Sequence, residues 1–159
     1  MNYIPLKING KQLCEIFTPE AVRGMTANEM VQYSLEHCMY PSEVHIESET
    51  YSRNAERTAD YELTNLLLVN RKAKPSFTWD LLKLEYLQRL LTYLNYTYNF
   101  KDAAGVIMPK EADDISVTYY DITGERTIKA YLGQTISCQI AVYEEELFVR
   151  NLELAFPER

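Results

Sequence analysis

Residues able to carry chemistry are few and scattered in this chain of 159 residues. There are two histidines, His37 and His45, and three cysteines, Cys14, Cys38 and Cys138. An odd cysteine count without a C-x-x-C pair argues against a disulfide framework and for reduced thiols in or near the core. A zinc site from this set would need long-range convergence, so neither metal nor cofactor is expected. His37 stands beside Cys38 in sequence, whereas a nucleophilic Cys-His dyad needs adjacency in space. The runs Asp113-Asp114 and Glu144-Glu145-Glu146 crowd carboxylates together. Successive positions of a strand point to opposite faces, however, so adjacency builds no acid/base pair, and charged hairpin tips are the expectation. No G-x-S-x-G, H-E-x-x-H, phosphate-cradling glycine loop or EF-hand spacing occurs. The reading is therefore of a protein that is not an enzyme, with a small hydrolase acting through His37 or Cys38 ranked last.

Charge narrows the partners. A net charge of -7 works against binding a polyanion. The one concentrated basic stretch, Arg71, Lys72 and Lys74 ahead of Pro75, has no interleaved aromatics and reads as a solvated loop or edge-strand guard. Arg53 and Arg57 flank Asn54 and Glu56 in the polar stretch 51–59, which suits an exposed loop or long hairpin tip. Two such arginines can hold a partner's carboxylates by paired hydrogen bonds. The apolar run 66–69 is too short to cross a bilayer, and the opening MNYIPLKING lacks a signal-peptide core, so a cytoplasmic product is expected.

These side chains must be positioned by a framework centred on residues 77–94. Phe77, Trp79 and Leu81 alternate with polar neighbours as in a strand with one buried face. Leu84, Leu87, Leu91 and Leu94, widened by Leu90, then recur at the spacing of one helical face, giving a core of Trp79, Leu84, Leu87, Leu91 and Leu94. Upstream, a strand over 3–8 meets the turn dipeptide Asn9-Gly10, and 11–17 returns as its partner. Thr18-Pro19-Glu20 reads as a helix start that Gly24 ends. Thr26 with Glu29 forms a capping box for a helix over 26–38, whose stripe is Met30, Val31, Ser34, Leu35 and Cys38. A strand follows over 44–50, with His45 on the wet face; 62–69 reads as a strand or, from its continuous apolar run 66–69, equally as buried helix; 96–100 is β-prone and 101–114 a loop. Downstream, 115–120 and 126–132 flank a turn closed by Gly124. A second hairpin joins 136–143 to 147–156, with Phe148, Leu152, Leu154 and Phe156 as its buried face. The fold class is α+β in one domain, 1–159: a mainly antiparallel β-sandwich or rolled barrel with one central packing helix.

The ordered motifs Ile8-Asn9-Gly10, SRNAERT (52–58), NRKAKPSFTW (70–79), VTYYDITGERTIKAYLGQ (117–134) and the closing LFVRNLELAFPER resemble a family of small phage and prophage proteins encoded among tail genes. The resemblance covers most of the chain except about 15–41, which looks like an N-terminal helical insertion. It implies the tail-tube or distal-tail plan and a structural part in the virion tail, near the tube or baseplate, made in the host cytoplasm. It further implies a six-fold ring of copies meeting other tail or baseplate proteins, without specific nucleic-acid or membrane binding. Tyr51, Arg53, Asn54 and Arg57 are then the candidate inter-subunit contacts. The rival is a monomeric carbohydrate- or peptide-binding sandwich using the tyrosines Tyr119, Tyr120 and Tyr131.

Overall fold

The computed structural model describes residues 2–53, 56–57, 63–64, 67–98 and 100–159, and within 49–70 the strand backbone alone. Strand β1 (Leu6–Ile8) turns into β2 (Lys11–Gln12) through Asn9 and Gly10, both at positive φ, 53° and 77°, the turn that Asn-Gly adopts at least cost. The expected return strand over 11–17 ends there, because helix α1 (Leu13–Phe17) begins. The Glu15 carboxylate accepts the Gln12 backbone N–H at 2.8 Å, and Leu13, Cys14, Ile16 and Phe17 are buried at three-and-four spacing. Thr18 closes α1, its hydroxyl and N–H both donating to the Cys14 carbonyl, and residues 19–24 form turns rather than the expected helix. Helix α2 (Ala27–Glu36) starts at Thr26, whose Oγ1 accepts the Glu29 N–H at 3.3 Å. Of its expected stripe only Ser34 is fully buried, and Cys38 lies exposed beyond the helix end.

Strands β3 (Glu43–Arg53), β4 (Glu56–Arg57), β5 (Leu63–Thr64) and β6 (Leu67–Lys83) lead into helix α3 (Leu84–Tyr93). Then come the hairpins β7 (Ile115–Asp121) with β8 (Gly124–Ala130), and β9 (Ser137–Tyr143) with β10 (Glu146–Ala155). The fold is α+β: two four-stranded antiparallel sheets, β2-β1-β7-β8 and β3-β6-β10-β9, pack face to face without closing into a barrel. Phe77 of β6 meets Tyr119 of β7 edge to face, at 6.2 Å between centroids, and packs on Phe156 at 6.0 Å. Of the five residues assigned to the core, Trp79, Leu87 and Leu94 are buried, while Leu84 and Leu91 pack partly buried against the same cluster. α1 braces α3: the Arg89 guanidinium donates to the Phe17 carbonyl at 2.7 Å, and Phe17 stacks on Tyr86 at 5.3 Å.

Three details differ from the sequence pattern. The basic stretch is not a loop, since Arg71, Lys72 and Lys74 lie inside β6; Lys74 stands between β3 and the C-terminal segment, while Arg71 and Lys72 lie past Ala73, where β3 is the described partner. Its charge is matched across the ladder, where Lys74 pairs with Glu47 and Lys72 with Glu49. The buried face of β6 also changes parity: Leu81 is 42% exposed and Leu82 is buried. On β10 the buried residues are likewise Val149, Leu152 and Leu154, with Phe148 only partly buried. Asn151 at φ 53° and the register shift of β9 between Arg150 and Glu153 mark the twist that turns these strands over. Residues 96–100, finally, form no strand within the described chain.

Candidate functional site

The longest feature is one hairpin. Between Glu43 and Tyr51, β3 pairs with β6 from Thr78 to Asn70, slips by one residue at Ser52, and keeps that register through Arg53–Leu67, Glu56–Thr64 and Arg57–Leu63. From Glu43 to Arg53 β3 is roughly 35 Å long at about 3.3 Å per residue. Its base belongs to the sheet, because Phe156 and Glu158 donate their N–H groups to the carbonyls of Pro75 and Ala73. Beyond Ala73 the described partner of β6 is β3 alone. Tyr51 and Arg53 lie on β3 and Arg57 on β4, so the outer arm carries three of the four proposed contact residues; Asn54 lies outside the described residues. Within the expected loop or hairpin tip over 51–59, the described residues 51–53 and 56–57 are strand.

A second feature gathers around Tyr131. A cleft of about 440 Å³ is lined by Lys74, Ser76, Tyr131, Gln134, Ser137 and Glu153 among others. A neighbouring one of about 640 Å³ shares Lys74, Tyr131 and Pro157. Hydroxyls, an amide, a carboxylate and an ammonium converge there beside one aromatic ring, and the Arg159 guanidinium sits 5.8 Å from that ring's centroid. Of the three tyrosines assigned to the rival binding module, Tyr120 is exposed and Tyr131 lines these clefts, but Tyr119 is 1% exposed and belongs to the core. Sequence reasoning misplaced Tyr119 because its neighbour Tyr120 has the same composition and the opposite face of β7.

Tyr119 anchors a polar network instead. Its hydroxyl donates to Asp121 at 2.8 Å; Arg126 reaches Asp121 at 3.6 Å and Glu158 at 3.2 Å; and Glu158 Oε2 accepts the buried Ala73 N–H at 2.8 Å. Burial, with the hydrogen bond and charge of Asp121, pushes the Tyr119 phenol well above its ordinary value. A phenol with its folded pKa raised contributes stability that is complete below about pH 10 and is lost as pH rises beyond that. Above pH 10 the stability of the unchanged chain is therefore expected to fall more steeply than that of Tyr119→Phe, by up to about 1.4 kcal/mol per pH unit. Urea unfolding at a series of alkaline pH values reads this difference, and equal slopes would remove Tyr119 as its source.

The histidines and cysteines do not converge. His37 caps α2, its ring stacked on Tyr33 at 4.1 Å with Nδ1 2.9 Å from the Tyr33 carbonyl oxygen, while exposed His45 lies 3.6 Å from Glu47. Cys14 is buried, which pushes its thiol up, but Cys38 and Cys138 are exposed, contrary to the expectation of thiols in or near the core. Among the described residues no group of three or more His, Cys, Asp or Glu could hold a metal ion. Nor is any helix there long and apolar enough to cross a membrane. Asp113 pairs with Lys110, and Asp114 with Arg159. Glu144 and Glu145 form the β9–β10 turn at φ 50° and 67°, where Asn-Gly would be favoured and each non-glycine residue costs about 1–2 kcal/mol.

Sequence reasoning also missed the surface of β9. All seven of its residues are uncharged, and Ile140 and Val142 are 62% and 66% exposed. The signal was present in the absence of any Lys, Glu or Asp from SCQIAVY, but an apolar strand reads as a buried one until its place at a sheet edge is known. The chain matches no protein-family model, no curated protein and no solved structure.

Proposed function

We propose that the chain is a non-enzymatic structural subunit of a bacteriophage or prophage-derived tail, near the tail tube or baseplate. Made in the host cytoplasm, it assembles as a six-fold ring and meets other tail or baseplate proteins. The observation that carries the reading is the arm of β3 and β6 beyond Ala73, with β4 and β5 at its end. A two-stranded ribbon is marginally stable in water and gains stability by lying on another surface. A ring subunit needs heterologous contacts to two neighbours, and the ribbon past Ala73, roughly 20 Å of β6 to Leu67, reaches toward an adjacent copy. Tyr51, Arg53, Asn54 and Arg57 are the residues we assign to that contact. The net charge of -7 also suits a conduit that lets DNA pass without holding it.

Light scattering of the purified protein across a concentration series, followed by negative-stain imaging, tests this. Rings or stacked tubes are the expected species, and Arg53→Glu with Arg57→Glu is expected to raise the concentration needed for assembly at least about tenfold, the weight of some 1.4 kcal/mol. A strict monomer at every concentration would overturn self-assembly. A second reading, a carbohydrate- or peptide-binding module, draws on the polar cleft at Tyr131. Glycan binding lost in Tyr131→Ala, by a protein that stays monomeric, would put it first.

A further inference from the structure

We infer that β9 is an acceptor edge for an extended segment of a different protein, one whose N-terminal end is cationic and whose body alternates apolar and polar residues. The sheet β3-β6-β10-β9 has two outer strands, and they are built differently. β3 carries Glu43, Glu47 and Glu49 along its length, the charges that keep an edge from pairing. β9 carries none, and among the described residues it pairs only with β10. Along its seven residues, alternate backbone N–H and C=O groups face away from β10, enough for a strand to add.

The side chains along that edge continue the core into solvent. Leu82, Val149 and Ile140 form one row across β6, β10 and β9, in which the first two are buried and the third is exposed. Val142 pairs with Leu147, also exposed, so Ile140, Val142 and Leu147 make an apolar strip at the border of the packed face. An added strand placing apolar residues on that side would cover it.

Charge selects the occupant. The strip ends at the turn Glu144-Glu145 and at Glu146, beside an open cleft of about 420 Å³ lined by Lys83, Leu84, Glu85, Gln88, Glu145, Glu146 and Leu147. Arg89 holds Glu85 at 2.7 Å and Lys83 lies 3.8 Å from Glu146, so the balance at the tip stays negative. The outer strand β3 of a second copy is acidic and is repelled from this end. Both large sheets are antiparallel throughout, so an added antiparallel strand sets its N-terminal residues against Glu144, Glu145 and Glu146. The edge and its charges act this way whether or not the chain belongs to a phage tail.

The test uses the whole chain and acetylated, amidated nine-residue peptides of alternating valine and threonine carrying a Lys-Arg pair at either end, with binding read by fluorescence anisotropy. The peptide with the N-terminal pair is expected to bind at least about tenfold more tightly than its C-terminal counterpart, a preference that shrinks in salt. Ile140→Lys, a change at an exposed position, should abolish binding without altering the circular dichroism spectrum. Replacing Glu144, Glu145 and Glu146 by Gln should erase the preference and leave binding itself. Failure of both peptides to bind would overturn the proposal, as would equal affinities. Self-association lost in Ile140→Lys would overturn it too, since it would give the edge to a second copy. None of these outcomes depends on whether the arm forms rings.

Discussion

Trp79→Ala is expected to lose about 3–5 kcal/mol of stability, the range for emptying a buried aromatic site, and so to remove a large part of the 5–15 kcal/mol that a domain of this size possesses. Trp79 is fully buried, paired on β6 with Leu152 of β10, and surrounded by the single cluster that joins both sheets to α1 and α3. Its indole N–H donates to the Met39 carbonyl at 2.9 Å, which ties the segment after α2 to the sheet. Ser42 adds to that tie, its N–H and hydroxyl both donating to the Thr78 carbonyl. Trp79→Phe separates the two contributions, since it keeps much of the apolar volume and leaves the Met39 carbonyl without its donor, at about 1–3 kcal/mol. Urea unfolding followed by far-ultraviolet circular dichroism reads both variants, because the only tryptophan fluorophore is lost in each. A loss below about 1 kcal/mol in Trp79→Ala would mean that the site collapses freely and that the cluster is not one cooperative core.

The elements that local chemistry dictates were legible without coordinates. Asn9-Gly10, the Thr26 cap, the Gly124 turn and the leucine face of α3 each state their conformation within a few residues. α1 was missed because Leu13, Cys14, Ile16 and Phe17 are too few to establish a period, and a strand expected after a tight turn won by default. Leu81 and Phe148 were assigned to the buried face because alternation was carried through the twist at Asn151, which nothing local announces. The basic stretch was taken for a loop or an edge because Pro75 and three cations are unusual in a central strand. It is tolerated there because Pro75 contributes its carbonyl to Phe156, while Lys72 and Lys74 stand opposite glutamates in the ladder with β3.

The same logic explains why candidate surfaces were harder to find than the fold. The four closing strands were read as two hairpins of a sandwich or rolled barrel; β7–β8 and β9–β10 belong to different sheets, and β1 and β6 supply their neighbours from far upstream. Which strand ends at an edge depends on those long-range choices. The arm differs in kind: its polar composition permitted a loop or a hairpin, and only the pairing of Ser52 and Arg53 with Leu68 and Leu67, and of Glu56 and Arg57 with Thr64 and Leu63, distinguishes them.

Glu158→Ala should cost about 2–3 kcal/mol, although Glu158 lies one residue from the end of the chain. Residues 155–159 are the seam of the molecule: Phe156 and Glu158 donate their N–H groups to β6, while Tyr131, Gly133 and Arg159 are bonded in the line that continues β8. One strand-like segment therefore fastens the two sheets along this side. The Glu158 carboxylate adds two contacts, the Ala73 N–H at 2.8 Å and Arg126 at 3.2 Å. Ala73 is buried, so removing the carboxylate takes the acceptor from a part-buried donor, at about 1–3 kcal/mol. Arg126 is about a third exposed, and its pair with Glu158 adds no more than about 1 kcal/mol. The two contributions separate because an amide still accepts a hydrogen bond: Glu158→Gln should keep the Ala73 contact and lose about 1 kcal/mol or less. A double-mutant cycle with Arg126→Met, read by urea unfolding, gives the ion-pair coupling directly, and the expected value is small. If Glu158→Gln proved as damaging as Glu158→Ala, the seam would be held by the charge on Arg126 and not by the backbone of β6. Stability would then fall with added salt, which the hydrogen-bonded seam would resist.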